Sequence, residues 1–163
     1  MVDQLLADIV PILEEEHAAC QQLIVLVEEQ RRCLMAGDVE ALNGIVARGQ
    51  RATARLQAAE DQRLATLRRY GYEDADDVVL SALVAQASEP LSSRCEQLRQ
   101  ALYVDGLALR AGTAANLRLM TQSQQLTRCL LAAMVASQRP EGYAPPGAAG
   151  NAQGVSLLVD NQV

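Results

Sequence analysis

The single histidine of the chain stands in the stretch whose side chains come closest to a metal or phosphoryl site. His17 follows Glu14, Glu15 and Glu16, and Cys20 lies one helical turn further on. His17 and Cys20 could ligate a metal ion, but a tetrahedral site needs further ligands and the sequence has no second Cys-x-x-Cys or histidine pair. A phospho-accepting histidine is a second interpretation, although such domains usually place a lysine soon after it and lysine is absent here. A partly exposed histidine without a special role is the third.

Motifs for catalysis are missing from the sequence. It has no glycine-rich phosphate loop, and with one histidine and scattered carboxylates no nucleophile has an evident base. Aromatic residues, on which ligand pockets usually rely, are limited to four tyrosines. We therefore expect a protein that is not an enzyme, with no catalytic residue, no metal and no cofactor.

Charge and hydropathy narrow the class of partner. The net charge of −6 disfavours binding to nucleic acid or to anionic membranes. No stretch approaches the ~20 apolar residues that span a bilayer, and acids occupy the N-terminus where a signal peptide is basic. We expect a cytoplasmic protein without membrane insertion, whose four cysteines are small buried residues.

Apolar spacing and helix breakers divide the chain into helices. Steps of three and four residues predict long helices over about 3–35, 39–70 and 90–137, with a short helix over about 77–87. Pro11 should kink the first helix or mark a later start, and Gly37 and Asp38 should end it and cap the second. Short turns predict an elongated antiparallel all-α bundle over 1–138, followed by a flexible Pro/Gly-rich tail over 139–163.

Small residues and charges within these helices leave alternatives open. Gly44 and Gly49 could let the second helix approach the first closely, while Gly106 and Gly112 could bend the fourth helix or pack it against a neighbour. The acidic first helix and the arginine-rich fourth helix could lie side by side or present two solvated faces.

The end of the fourth helix is apolar around its whole circumference. Residues 129–136 carry neither a charge nor an amide side chain. At about 100° per residue, one face can pack in the bundle while another needs a cover, such as a second copy of the chain or a helix of another protein. A tightly buried terminal turn is the alternative. Met120 and Met134 add adaptable apolar surface.

Several short motifs follow one another along the chain. They are an opening helix with Glu14–His17, a Leu34-Met35-Ala36-Gly37-Asp38 joint followed by Leu42, a Glu60-x-x-Arg63 element, an Asn116-Leu117 element and a tail motif at Tyr143-Ala144-Pro145-Pro146-Gly147. In this order the motifs resemble the FlgN-type flagellar type III export chaperones over essentially the whole chain. Family members often have asparagine at the position of Thr113 and glycine at that of Ala144.

The resemblance implies a chaperone that binds the C-terminal helices of flagellar hook-associated (hook–filament junction) proteins and delivers them to the cytoplasmic domain of the export gate. The charge-free run near the end of the fourth helix predicts that Leu126, Leu130, Leu131 and Met134 contact the substrate helix, and the resemblance adds Asn116 and Leu119 to these contacts. Tyr143 is expected to dock at the gate, although it could instead fold back on the bundle. The other functional hypotheses are a structural coiled-coil homodimer, with a seam at 129–136, and a histidine phosphotransfer module.

Overall fold

A computed structural model describes residues 1–72 and 80–137 of the chain. Its four helices are α1 (Val2–Ala36), α2 (Val39–Arg69), α3 (Leu80–Val84) and α4 (Leu91–Ser137). All regular structure in these two ranges is helical, so the predicted all-α class is confirmed. None of the described helices is both long and apolar enough to cross a membrane. The predicted tail lies outside the described residues.

Helices α1 and α2 form an antiparallel hairpin. Gly37 ends α1 in the left-handed conformation with φ 69°, and Asp38 caps α2 by accepting a hydrogen bond from the Ala41 amide at 2.9 Å, as the sequence predicts. Contacts between the helices then run in opposite directions along the chain. Tyr70 donates to Asp8 at 2.8 Å, whereas Arg48, near the start of α2, pairs with Glu29 near the end of α1.

The main core lies where all four helices meet. Its buried members are Leu5, Leu6, Ile9, Leu13, Leu67, Leu83, Cys95 and Leu98. A second, smaller cluster of Leu26, Ile45 and Ala52 belongs to the α1–α2 hairpin alone. Aliphatic side chains therefore fill narrow seams between helices, as expected for a chain without Phe or Trp.

Helix α4 packs along α1 in the same direction. Arg94 reaches Glu14, Asp105 reaches His17, and Asn116 reaches Gln30, so positions in both helices increase together. Since α1 and α2 are antiparallel, α4 runs opposite to α2. The predicted antiparallel bundle is thus confirmed, with the short α3 in the connection that precedes α4.

Several local expectations are corrected. α1 begins at Val2 and continues through Pro11, so a later start is wrong, and α3 ends at Val84 instead of near residue 87. A β-carbon added at Gly44 or Gly49 would meet nothing within 4 Å, so neither glycine marks a close helix approach. At Gly112 it would lie 2.6 Å from Val27 Cγ1, which establishes close packing there.

The charges and thiols also differ in part from expectation. The acids of α1 pair mainly with α2, through Arg48, Arg55 and Arg63, and only Arg94 of α4 joins them among the described ion pairs between helices. Cys20 and Cys95 are buried, but Cys33 is half-buried and Cys129 is exposed, so the expectation of four buried cysteines fails at these two positions.

The chain divides into two units, Met1–Gln125 and Leu126–Val163. The first holds α1, α2, α3 and most of α4, and contains both buried clusters. Of the second unit the structure describes the residues up to Ser137, which are helical.

Candidate functional site

The first part of α4 has a regular buried seam. Its inward positions recur at alternating steps of three and four residues, the spacing that keeps one stripe of a helix against a neighbour. These positions are Cys95, Leu98, Leu102, Asp105, Leu109, Gly112, Asn116 and Leu119. We call residues 91–119 the proximal half of α4. Its seam is occupied by the chain itself, so it offers no free apolar face on that side.

His17 is hydrogen-bonded into this seam through one of its two ring nitrogens. Its Nδ1 donates to Asp105 Oδ2 at 2.8 Å, and Gln21 Nε2 donates to Asp105 Oδ1 at 2.6 Å. Asp105 is only 4% exposed, so the two donors satisfy a carboxylate that would otherwise be buried without partners. His17 therefore has a structural role in joining α1 to α4, a pairing across 88 residues.

The thiol nearest His17 is poorly suited to metal binding. Burial raises the pKa of the Cys20 thiol, and the carboxylates of Asp105 and Glu16 raise it further. A metal ligand requires the thiolate, which this environment disfavours. Within residues 1–72 and 80–137 there is no group of three or more histidine, cysteine or acidic residues arranged to hold a metal ion.

Asn116 is also placed in the seam. It is 3% exposed, and its Nδ2 donates to the Val27 carbonyl and to Gln30 Oε1, both at 2.9 Å. A partner cannot reach this side chain while α1 is in place. The α4 spacing indicates a seam position, because Asn116 falls four residues after Gly112 and three before Leu119.

The arginine of the Glu60-x-x-Arg63 element likewise holds helices together. Arg63 Nε donates to Glu16 Oε1 at 2.9 Å, and Glu16 is only 7% exposed. An isolated buried carboxylate is strongly unfavourable, so Arg63 offsets the burial of Glu16. This element contributes to the α1–α2 hairpin.

The end of α4 differs from the proximal half in the exposure of its side chains. Every described side chain from Met120 to Val135 is exposed, including Leu126 (66%), Leu130 (66%), Leu131 (57%) and Met134 (58%). The alternative of a tightly buried terminal turn is therefore wrong for these residues. We call residues 126–135 the distal segment. It brings together four of the six predicted substrate contacts, while Leu119 is half-buried and Asn116 is buried. Tyr143 lies outside the described residues.

Exposed aliphatic side chains in this number, on one continuous helix, form a surface suited to another helix. A helix–helix contact needs no nucleophile, metal or cofactor. The arrangement can therefore mask an apolar stripe of another protein reversibly.

Comparison with known proteins assigns this helical plan to a family. The FlgN protein family matches residues 1–151 of the chain. No curated protein and no solved structure gives a significant match. The matched range includes all four helices, the buried seam and the distal segment. The chain belongs to the FlgN family, the flagellar export chaperones.

Proposed function

We propose that this chain is a cytoplasmic chaperone that binds the C-terminal helical region of flagellar hook-associated proteins through the distal segment of α4. The observation that carries the proposal is the exposure of Leu126, Leu130 and Leu131 on a helix that has no buried side chain between Met120 and Val135. An apolar helix surface of this kind gains free energy when a second helix covers it, about 25 cal/mol for each Å² of apolar area removed from water.

The client chemistry fits this surface. Subunits that assemble through terminal helices expose apolar stripes before assembly, and such stripes drive aggregation. A helix laid on Leu126, Leu130 and Met134 would have its own stripe covered. Because the contact is non-covalent, the client can be released at the export gate.

The first test replaces Leu126 and Leu130 together by Asp. We expect co-purification with hook-associated proteins to be lost, because two charges would be buried in an apolar contact. Circular dichroism should stay unchanged, since both positions are 66% exposed. The matched control places the same two charges at Gln124 and Gln125, which are exposed and polar, and should retain the client. Retention of the client by L126D/L130D would contradict the assignment.

Delivery to the export gate is the second half of the proposal, and it involves Tyr143. Replacement of Tyr143 by Ala should weaken binding to the cytoplasmic domain of the gate and leave client binding unchanged, since aromatic side chains dominate small contacts. Tyr143→Phe keeps the ring and should bind nearly as well. Loss of both activities in Tyr143→Ala would indicate a structural role instead.

A further inference from the structure

A second apolar surface lies on α4 within the Met1–Gln125 unit, away from the seam. We call it the outer stripe, and its members are Tyr103, Val104, Leu107, Ala111, Ala114 and Leu117. All are exposed, with Tyr103 at 61%, Leu107 at 49% and Leu117 at 63%. At about 100° per residue these positions fall on the side of α4 opposite Asp105, Gly112 and Asn116. From Tyr103 to Leu117 the helical rise gives the stripe a length of about 21 Å.

The tyrosine in this stripe differs from the other two that the structure describes. Tyr70 and Tyr72 are half-buried against the main core, and the Tyr70 hydroxyl donates to Asp8 at 2.8 Å. Tyr103 is exposed, beside exposed Val104 and Leu107. Tyrosine and arginine are the residues that most often dominate binding at protein interfaces.

Two arginines lie along the stripe. Arg110 and Arg118 are exposed, and neither forms an ion pair or a hydrogen bond with the residues in 1–72 and 80–137. Earlier in the same helix Arg94 is paired with Glu14 and Arg99 with Glu96. From Gly106 to Ser137 the sequence of α4 contains three arginines and no acid. The outer stripe therefore combines apolar area with positive charge that the described chain does not neutralise.

A groove of about 620 Å³ between α1 and α4 borders the stripe and shares Val104 with it. Gln97, Gln100 and Ala101 also line it. Two acids lie there, but Glu96 is paired with Arg99, and Asp105 is bonded to His17 and Gln21. The groove offers room for a side chain of a partner beside Val104.

We propose that the outer stripe binds an acidic amphipathic helix of another protein, with its apolar face on Tyr103, Leu107 and Leu117 and its carboxylates at Arg110 and Arg118. A span of about 21 Å corresponds to roughly four helical turns of such a partner. Two copies of this stripe suit each other poorly, because their contact would place four arginines together without an acid. This surface is separate from the distal segment and does not rest on the proposed function.

Two synthetic helical peptides test the proposal. Both carry leucine along one face, and one is flanked by glutamate while the other is flanked by lysine. Fluorescence anisotropy should show binding of the glutamate peptide, at least about tenfold tighter than the lysine peptide at low salt. Leu107→Asp should abolish this binding. R110E/R118E should reverse the preference between the peptides. Absence of binding, or equal binding of both peptides, would overturn the proposal.

Matched variants separate binding at the outer stripe from general charge attraction and from binding at the distal segment. Arg128→Glu makes the same charge change as Arg110→Glu alone, but on α4 outside the stripe, and should leave the glutamate peptide bound. If Arg128→Glu weakened binding of the glutamate peptide as much as a charge reversal within the stripe, general charge attraction would explain the binding, and the proposed site would be wrong. L126D/L130D should also leave peptide binding intact, and its loss there would assign the peptide to the distal segment instead. Light scattering measures whether the chain forms a dimer without a partner. A dimer that Leu107→Asp dissociates would show that a second copy occupies the outer stripe, and would overturn the proposal.

Discussion

The two ends of α4 share a pattern but differ in what covers it. In the proximal half, positions spaced by three and four residues from Cys95 to Leu119 are buried or half-buried. The same spacing continues through Ser123, Leu126, Leu130 and Ala133, all of which are exposed. The proximal seam packs on α1, and the described hydrogen bonds between the two helices extend as far as the one that Asn116 donates to Gln30. Apolar periodicity therefore identifies a helix face that needs a partner, and the partner need not belong to the same chain.

The largest expected contrast is in thiol reactivity, because each end of α4 carries one cysteine. Cys129 should react rapidly with iodoacetamide in the native protein. Cys95 should react at least about a thousandfold more slowly, since it is fully buried and must wait for local unfolding. Burial also raises the pKa of the Cys95 thiol, which lowers its thiolate fraction. Peptide mass mapping over time measures both rates.

In urea both thiols should react at similar rates, which is the control. Bound client should slow Cys129 and leave Cys95 unchanged. Comparable native rates for the two thiols would break the contrast between the ends of α4.

Truncation of leucines gives the next largest effect. Leu98→Ala should lower the free energy of unfolding by about 2–5 kcal/mol, because Leu98 is 4% exposed within the main core. Leu126→Ala should change it by no more than about 0.5 kcal/mol, as for most surface substitutions. Urea unfolding followed by circular dichroism measures both. A large decrease in the free energy of unfolding for Leu126→Ala would mean that the distal segment is covered within the free chain.

Two glycines of α4 sharpen the comparison within the proximal half. Gly106→Ala should stabilise the protein by about 0.5–1 kcal/mol, because alanine favours the helix and a β-carbon meets nothing within 4 Å. Gly112→Ala should instead destabilise it by about 1–3 kcal/mol, since its β-carbon would lie 2.6 Å from Val27 Cγ1. The same unfolding measurement compares them. Equal effects at both glycines would show that Val27 moves aside without cost.

Surface charge gives the smallest effect. Arg94→Gln should lower the free energy of unfolding by about 0.2–1 kcal/mol, because the ion pair between Arg94 and Glu14 is lost. The effect is small because both side chains are about half exposed. Arg128→Gln should have no measurable effect, because Arg128 has no ion pair among the residues that the structure describes. High salt should remove the difference between the variants.

Much of the fold could be predicted from local signals. Apolar spacing placed the long helices within a few residues. Gly37 and Asp38 specified the joint because both effects are local: glycine accepts the left-handed conformation, and the Asp38 carboxylate accepts from the amide three residues later. The pairing of His17 with Asp105 could not be predicted, since it depends on how two distant helices align.

The candidate site was predictable only in part. The residues 129–136 are apolar all round, so the sequence alone could not decide which faces are covered. Asn116 was expected to contact the substrate helix, whereas the structure buries it against α1, at a position that continues the three- and four-residue spacing of the seam. The neighbours that accept from the Asn116 amide nitrogen, Val27 and Gln30, lie on another helix, and they are visible only once the helices are assembled.

The lack of buried side chains in the distal segment has a consequence for binding kinetics. Without tertiary packing, the end of a helix frays readily, so its amide hydrogens should exchange with solvent much faster than those near Cys95. A client helix must suppress this fraying as it docks, and the conformational entropy lost subtracts from the gain of burying Leu126 and Leu130. The complex should therefore dissociate faster than a preformed groove of equal area would allow, which suits a protein that must give up its client intact.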